Sequence, residues 1–177
     1  QQRNREAVER LEPVFAKYRA ALADRLDYPR PYDGLASGTD VEAWEQSFAA
    51  SCRHLGCSRL DSFLLHQPSD LLKLGGHLLE AWLLSLRERG LVQRLGVSIY
   101  GADDLEGVNP VLLDLVQLPL SLYDQRLLED GTVSRLKAAG SVIHARSLYL
   151  QGLLLKPAEQ WPAWVDASVF DHHRRLE

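Results

Sequence analysis

The stretch HLLEAWLLSLRERGLVQRLGVSIYG (residues 77–101) joins a helical pattern to a strand pattern through a single glycine. Its first half repeats apolar residues at helical spacing: Leu78, Leu79, Trp82, Leu83 and Leu86. Gly90 stands where a left-handed residue would end such a helix. The apolar run QRLGVS (93–98) follows directly. The stretch therefore predicts a helix that leads into a buried strand.

The same alternation extends over most of the chain. Three more apolar runs read as strands, at 62–67, 114–119 and 141–146, and helical patterns precede them at 39–57, 104–115 and 130–141. Continuous apolar runs of this length indicate strands buried on both faces, as in a parallel sheet. Repeated βα units point to a doubly wound sheet or a (β/α)8 TIM barrel. No GxGxxG turn follows a strand, which argues against a Rossmann phosphate site.

Residues 39–177 are therefore interpreted as about four to five βα units of an α/β barrel that is only partly represented. Residues 1–38 form a separate helical or irregular segment with a Pro/Gly loop, DYPRPYDGLASG, and no convincing strand. Methionine is absent, even at position 1, so we expect the chain to be a fragment, a processed product or the ordered part of something longer.

Composition excludes several classes of protein. The 177 residues carry a net charge of −4 and are 46% hydrophobic, enough for one sizeable core. Without a basic cluster we expect no nucleic-acid partner, and without an apolar stretch of about 20 residues no membrane span. Cys52 and Cys57, the only cysteines, fit a reducing cytoplasm. They lack a fourth metal ligand, so no metal site is predicted.

Polar residues occur where the predicted strands end. His66, Ser98, Gln117 and Arg146 each lie at or near such an end, beside apolar neighbours. A buried polar group is costly unless it has a partner, and a ligand can supply one. Loops at the carboxyl ends of parallel strands carry the chemistry in α/β folds. We therefore expect a binding or active site at this edge of the sheet.

Four motifs in order, LDSFLLHQP, LRERGLVQRLGVSIYG, VQLPLSLYDQR and ARSLYLQGLLL, resemble those of the aldo/keto reductase family. They cover about residues 40–155. The resemblance implies a (β/α)8 barrel that binds NADPH or NADH in extended form and transfers a hydride to a carbonyl. The last motif is similar to bacterial members associated with surface-polysaccharide gene sets, which implies a small, sugar-related carbonyl substrate.

The resemblance also implies roles for individual residues. His66 corresponds to the histidine that orients and polarises the substrate carbonyl. Ser98 and Gln117 correspond to residues that hydrogen-bond the nicotinamide carboxamide.

Further roles follow from the last motif. Arg146 takes a position that is an aromatic stacked on the nicotinamide in many members, and a guanidinium can also stack. Ser147 and Tyr149 correspond to the loop that meets the cofactor pyrophosphate. His144, the neighbour of these residues, is expected to pack against a helix.

Departures from the family leave the function open. Ile99 replaces a common asparagine, and no DTAxxYG segment or lysine-bearing third strand supplies the aspartate, tyrosine and lysine that donate the proton. The main expectation is part of a longer NAD(P)H-dependent reductase. The alternative is a noncatalytic scaffold or cofactor-binding module that acts through protein contacts. A third reading is a barrel hydrolase with His66 as a metal ligand, for which companion ligands are not evident.

Overall fold

Four parallel strands alternate with helices in the computed structural model, which describes residues 38–162. The elements in order are α1 (Gly38–Leu55), β1 (Leu60–Leu65), α2 (Gly76–Glu88), β2 (Val92–Ser98), β3 (Leu115–Pro119), α3 (Arg126–Glu129), α4 (Thr132–Ala138) and β4 (Val142–Arg146). Short 3-10 turns complete the connections at Pro68–Leu72, Ala102–Leu105, Pro110–Leu112, Leu150–Leu155 and Ala158–Gln160. The strands pair in the order β1-β2-β3-β4, all parallel. The architecture is that of consecutive units of a (β/α)8 barrel, as predicted.

The apolar stripes of the helices cover one face of the sheet. Phe63 of β1 lies edge-on to Phe48 of α1 (ring centroids 5.6 Å apart) and to Trp82 of α2 (5.9 Å). Such aromatic pairs add about 0.5–1.5 kcal/mol to the burial of their area. Leu86 and Val97 are fully buried in the same core. The helical spacing read from the sequence of α2 is therefore confirmed.

The face of the sheet away from the helices, here called the inner face, follows from strand alternation and register. Side chains alternate along a strand, and residues paired in register point to the same side. Because Phe63 and its partner Leu95 face the helices, the next positions face away. The inner face consists of Ser62, Leu64, Arg94, Gly96, Ser98, Leu115, Gln117, Pro119, Val142, His144 and Arg146.

Two helices are followed by a glycine in the left-handed conformation, and the sequence predicted the first of these at Gly90. Gly90 follows α2 with φ +68°, and its amide hydrogen-bonds the Arg87 carbonyl at 2.9 Å. A residue without Cβ reaches this left-handed conformation at little cost. Gly140 follows α4 in the same way. Both glycines allow the chain to turn at once into the next strand.

The predicted helix over 104–115 is wrong. Two 3-10 turns take its place, and Gly107 between them has φ +72°. Pro110 begins the second turn, where Asn109 accepts a hydrogen bond from the amide of Val111 at 3.2 Å. The left-handed residue and the Asn-Pro pair interrupt a continuous helix.

The prediction that every strand is buried on both faces is wrong for β4. As an edge strand of the described sheet it leaves Val142, His144 and Ala145 exposed. β2 and β3 are the well-buried strands.

Asp114 fixes the start of β3. One of its carboxylate oxygens accepts hydrogen bonds from the Leu95 amide and from Arg87 Nη1, both at 3.0 Å. Its carbonyl accepts the Val142 amide at 2.9 Å. One residue thus ties β3 to both neighbouring strands and to α2.

The predicted segment 1–38 lies outside the described residues except for Gly38, the first residue of α1. Within the described part, no helix has the length and apolar character needed to cross a membrane.

Candidate active site

Ser98 and Gln117 form a polar pair on the inner face. They are register partners at the carboxyl end of β2 and in β3, so their side chains leave the sheet side by side. Ser98, 4% exposed, donates its hydroxyl hydrogen to Gln117 Oε1 at 3.2 Å. Within residues 38–162 no group accepts a hydrogen bond from the Gln117 side-chain nitrogen. The pair therefore offers an amide donor and an acceptor to a ligand.

His66 comes directly after β1. Leu65, the last residue of that strand, has Val97 as its register partner, and Ser98 follows Val97. His66 and Ser98 therefore both lie at the carboxyl ends of neighbouring strands. The ring is exposed, and none of the described residues hydrogen-bonds it. Its donors and acceptors are available to a bound molecule.

Arg146 reaches from the end of β4 across β3 to the end of β2. Its Nη2 donates to the Ile99 carbonyl at 3.1 Å, and its Cζ lies 4.0 Å from the centre of the Tyr100 ring. A cation over an aromatic face is attracted by about 0.5–1 kcal/mol at exposed sites. Its Nε is buried and has no hydrogen-bond partner in the described part of the chain. These contacts hold the guanidinium one residue beyond the Ser98–Gln117 pair.

Asp104 sets the position of Tyr100. Its Oδ2 accepts the amides of Tyr100 at 2.6 Å and Gly101 at 3.0 Å. Sequence reasoning missed Asp104, and it placed Tyr100 at a strand end without giving it a role. An aspartate three residues after Gly101 has the spacing of a capping residue, which was the available signal.

The charge of Arg146 is not matched by an ion pair within residues 38–162. Asp124 is bound by Arg126 through Nε at 2.9 Å and Nη2 at 3.0 Å. Arg126 is the main cause that holds the pKa of Asp124 below its ordinary value, and Arg146 contributes the least. The strand ends thus carry a positive charge close to the polar pair.

Ser147 and Tyr149 are not brought to the pair. Both side chains are exposed, and no hydrogen bond among the described residues connects them with Ser98 or Gln117. Ser147 has φ +61°, and its carbonyl accepts the Leu150 amide at 3.0 Å. Leu150 also has positive φ, so this loop is backbone-strained for residues other than glycine.

The prediction that His144 packs against a helix is wrong. Its register partner is Gln117, which puts it on the inner face, and it is exposed. Its neighbour Ile143 packs against the helix-side core instead. Strand alternation puts His144 on the same face as Arg146, two residues later, and the prediction did not take this into account.

No cluster of three or more histidine, cysteine, aspartate or glutamate side chains suited to a metal ion occurs among residues 38–162.

Comparison with known proteins gives structural matches only. No protein-family model and no curated protein matches the chain. A solved protein from Pseudomonas aeruginosa described as an aldo-keto reductase is similar with a TM-score of 0.49 and 18% identity, over 66% of this chain and 46% of that one. An aldo/keto reductase from Brucella melitensis matches with a TM-score of 0.46 and 27% identity, over 70% of this chain and 48% of that one.

A third structure, described as a 2,5-diketo-D-gluconic acid reductase B, has a TM-score of 0.48 and 19% identity over 67% of this chain. The chain spans less than half of the length of each of these proteins. Each of these structures is similar to part of this chain, and the aldo/keto reductase family remains what the motif resemblance implies.

Proposed function

We propose that the chain is part of an NAD(P)H-dependent oxidoreductase that reduces an aldehyde or ketone to an alcohol. The observation that carries the proposal is the Ser98–Gln117 pair at the carboxyl edge of the sheet, with His66 directly after the end of the neighbouring strand β1. These are the residues that the motif resemblance assigns to the nicotinamide and to the carbonyl.

The pair fits the carboxamide of a nicotinamide. A primary amide carries one acceptor oxygen and two donor hydrogens, and the side chain of Gln117 is its complement. Ser98 fixes the orientation of Gln117 by donating to Oε1, so the Gln117 nitrogen is directed away from Ser98. Two directional contacts select one face of the ring for the substrate. Arg146 would lie against the ring, as the motif implies.

His66 would orient the substrate carbonyl. When bound, NAD(P)H supplies the hydride that adds to the carbonyl carbon. Negative charge then grows on the carbonyl oxygen, and a hydrogen bond from the exposed His66 ring would stabilise it. Removing one such donor typically lowers kcat by about 10²–10³-fold.

The proton donor of the family is assigned to a separate part of the barrel. The aspartate, tyrosine and lysine belong to strands before the histidine strand in the motif order, and the sequence has no DTAxxYG segment. We propose that the intact barrel brings such a set next to His66. The substrate would be a small carbonyl compound, sugar-related by the likeness of the last motif. We propose the cytoplasm as its compartment, since Cys52 and Cys57 are free thiols.

The proposal is tested with the full-length protein, NADPH or NADH, and a panel of aldehydes and ketones that includes sugar-derived carbonyls. Loss of the reduced-cofactor absorbance is expected with at least one substrate. His66→Ala should lower kcat by about 10²-fold or more with cofactor affinity unchanged, because the ring meets the substrate. Arg53→Gln, an exposed change on α1, is the matched control and should behave like wild type.

The second candidate is a cofactor-binding module without catalysis. It is favoured by the missing aspartate, tyrosine and lysine motif. Saturable binding of NADPH or NADH without oxidation of the cofactor by any carbonyl in the panel would establish the module. Absence of both binding and turnover would remove the nicotinamide assignment altogether.

A further inference from the structure

The guanidinium of Arg146 is a fixed positive charge close to the proposed carboxamide site. It hydrogen-bonds the carbonyl of Ile99 at 3.1 Å, and Ile99 directly follows Ser98. Any ring whose carboxamide binds the Ser98–Gln117 pair therefore lies within reach of this charge. The position of the charge follows from backbone and ring contacts and does not depend on a counterion.

Two contacts limit the freedom of this side chain. The Ile99 carbonyl accepts a hydrogen bond from Nη2 at 3.1 Å, and Cζ lies over the Tyr100 ring, 4.0 Å from its centre. The backbone of Tyr100 is held in turn by Asp104, which accepts its amide hydrogen at 2.6 Å. A ligand can therefore meet the guanidinium on the side away from the Tyr100 ring.

The charge is retained under physiological conditions. An arginine side chain stays protonated in proteins. Arg146 contributes to the lowered pKa of Asp124, but the Asp124 carboxylate is already bound by Arg126 through two hydrogen bonds. Arg146 also has no carboxylate within ion-pair distance among residues 38–162. A molecule bound at the polar pair therefore meets a cation that has no ion-pair partner among the described residues.

The two redox forms of the cofactor differ in the charge of their ring. The nicotinamide of NAD(P)⁺ is cationic and the dihydronicotinamide of NAD(P)H is neutral, whereas the rest of the molecule is the same. A like charge nearby raises the free energy of the oxidised form alone, and more so where water is partly excluded. An aromatic ring at the same place would attract the cationic form through its face.

We propose that Arg146 is a specificity-determining residue that makes the protein bind reduced nicotinamide cofactor in preference to the oxidised form. The inference rests on the proposed function, which supplies the cofactor, and adds the direction in which the site is biased. Such a site takes up NAD(P)H and releases NAD(P)⁺ readily, which suits reduction of carbonyls over oxidation of alcohols.

The test measures dissociation constants of the full-length protein for NADPH and NADP⁺, and for NADH and NAD⁺, by isothermal titration calorimetry. The ratio of the oxidised to the reduced constant isolates the ring charge, because phosphate and adenosine contacts cancel. Wild type should prefer the reduced form by about tenfold or more. Arg146→Gln should bring the ratio close to one, whereas Arg146→Lys, which keeps the charge, should preserve a preference.

Arg53→Gln removes the same charge from an exposed position on α1 and should leave the ratio at the wild-type value. Thermal unfolding of each variant shows that it is folded. If wild type binds both forms and Arg146→Gln has the wild-type ratio, the inference is overturned while the proposed function stands. If wild type binds neither form, the cofactor assignment fails and the inference fails with it.

Discussion

Replacing Gly96 with alanine should force β2 and β3 apart. Gly96 faces Leu115 across the ladder, and a Cβ built on Gly96 would lie 2.3 Å from the Leu115 carbonyl oxygen, 3.1 Å from its carbonyl carbon and 3.2 Å from its Cβ. The oxygen would have to retreat by at least 0.7 Å, from 2.3 to 3.0 Å, to reach even a tight contact. Because the obstacle is backbone, no side-chain rotation relieves it.

The expected loss of stability comes from overpacking between the two strands and from disturbed hydrogen bonds in their short ladder. Overpacking of a buried site costs about 1–3 kcal/mol, and a disturbed ladder hydrogen bond about 1 kcal/mol more. β2 and β3 share three register pairs, and Ser98 with Gln117 is the last of them. We therefore expect a loss of about 2–4 kcal/mol in the free energy of unfolding and weaker cofactor binding.

Urea unfolding followed by circular dichroism measures this loss. With a denaturant slope of about 2 kcal/mol per M, the midpoint should fall by about 1–2 M. Gly101→Ala is the matched control: Gly101 has φ −142°, and no atom lies within 4 Å of its added Cβ. Its midpoint should equal that of wild type. An unchanged midpoint for Gly96→Ala would refute the close approach of the two strands and the reasoning built on it.

Two further predictions concern charged residues. Glu45 accepts hydrogen bonds from Arg89, and these are the chief cause that lowers the pKa of Glu45 below the ordinary 4.5. The unfolded chain therefore binds more protons in acid than the folded one. The stability that the Glu45–Arg89 pair adds is present above pH 4.5 and is lost as the pH falls further. Glu45→Gln should therefore flatten the fall of the melting temperature in acid, and an unchanged acid slope would contradict it. Asp104→Ala removes the acceptor of the Tyr100 and Gly101 amides, so hydrogen exchange of both should accelerate by about tenfold. Asp103→Ala, in the same turn, is its control, and unchanged exchange in Asp104→Ala would count against the cap.

Much of the fold could be predicted because its signals are local. The periodicity of α2, the glycine that ends it and the apolar run of β2 lie within one stretch of 25 residues, 77–101. The helix predicted at 104–115 is wrong because the prediction gave more weight to apolar spacing than to Gly107 and the Asn-Pro pair, which interrupt a helix. The face of His144 could be read from strand alternation, because His144 lies two residues before Arg146 in the same strand, and the prediction overlooked this.

The sequence could predict which residues belong to the candidate site, but it could not predict the contacts between them. Ser98 and Gln117 were singled out separately, and the structure joins them by a hydrogen bond. The contact of Arg146 with Ile99 and Tyr100 connects residues more than 40 positions apart, and no local pattern encodes it. Side-chain placement at the end of an edge strand depends on non-local packing.

The most direct test of the account measures whether Gln117 binds the carboxamide of the cofactor. NADPH and an analogue with an acetyl group in place of the carboxamide are titrated into wild type and Gln117→Leu. Wild type should bind NADPH about three- to tenfold more tightly than the analogue, which corresponds to the net free energy of one hydrogen bond. Gln117→Leu should bind NADPH and the analogue equally. An equal preference for NADPH in wild type and Gln117→Leu, or no binding of NADPH to wild type, would contradict the account.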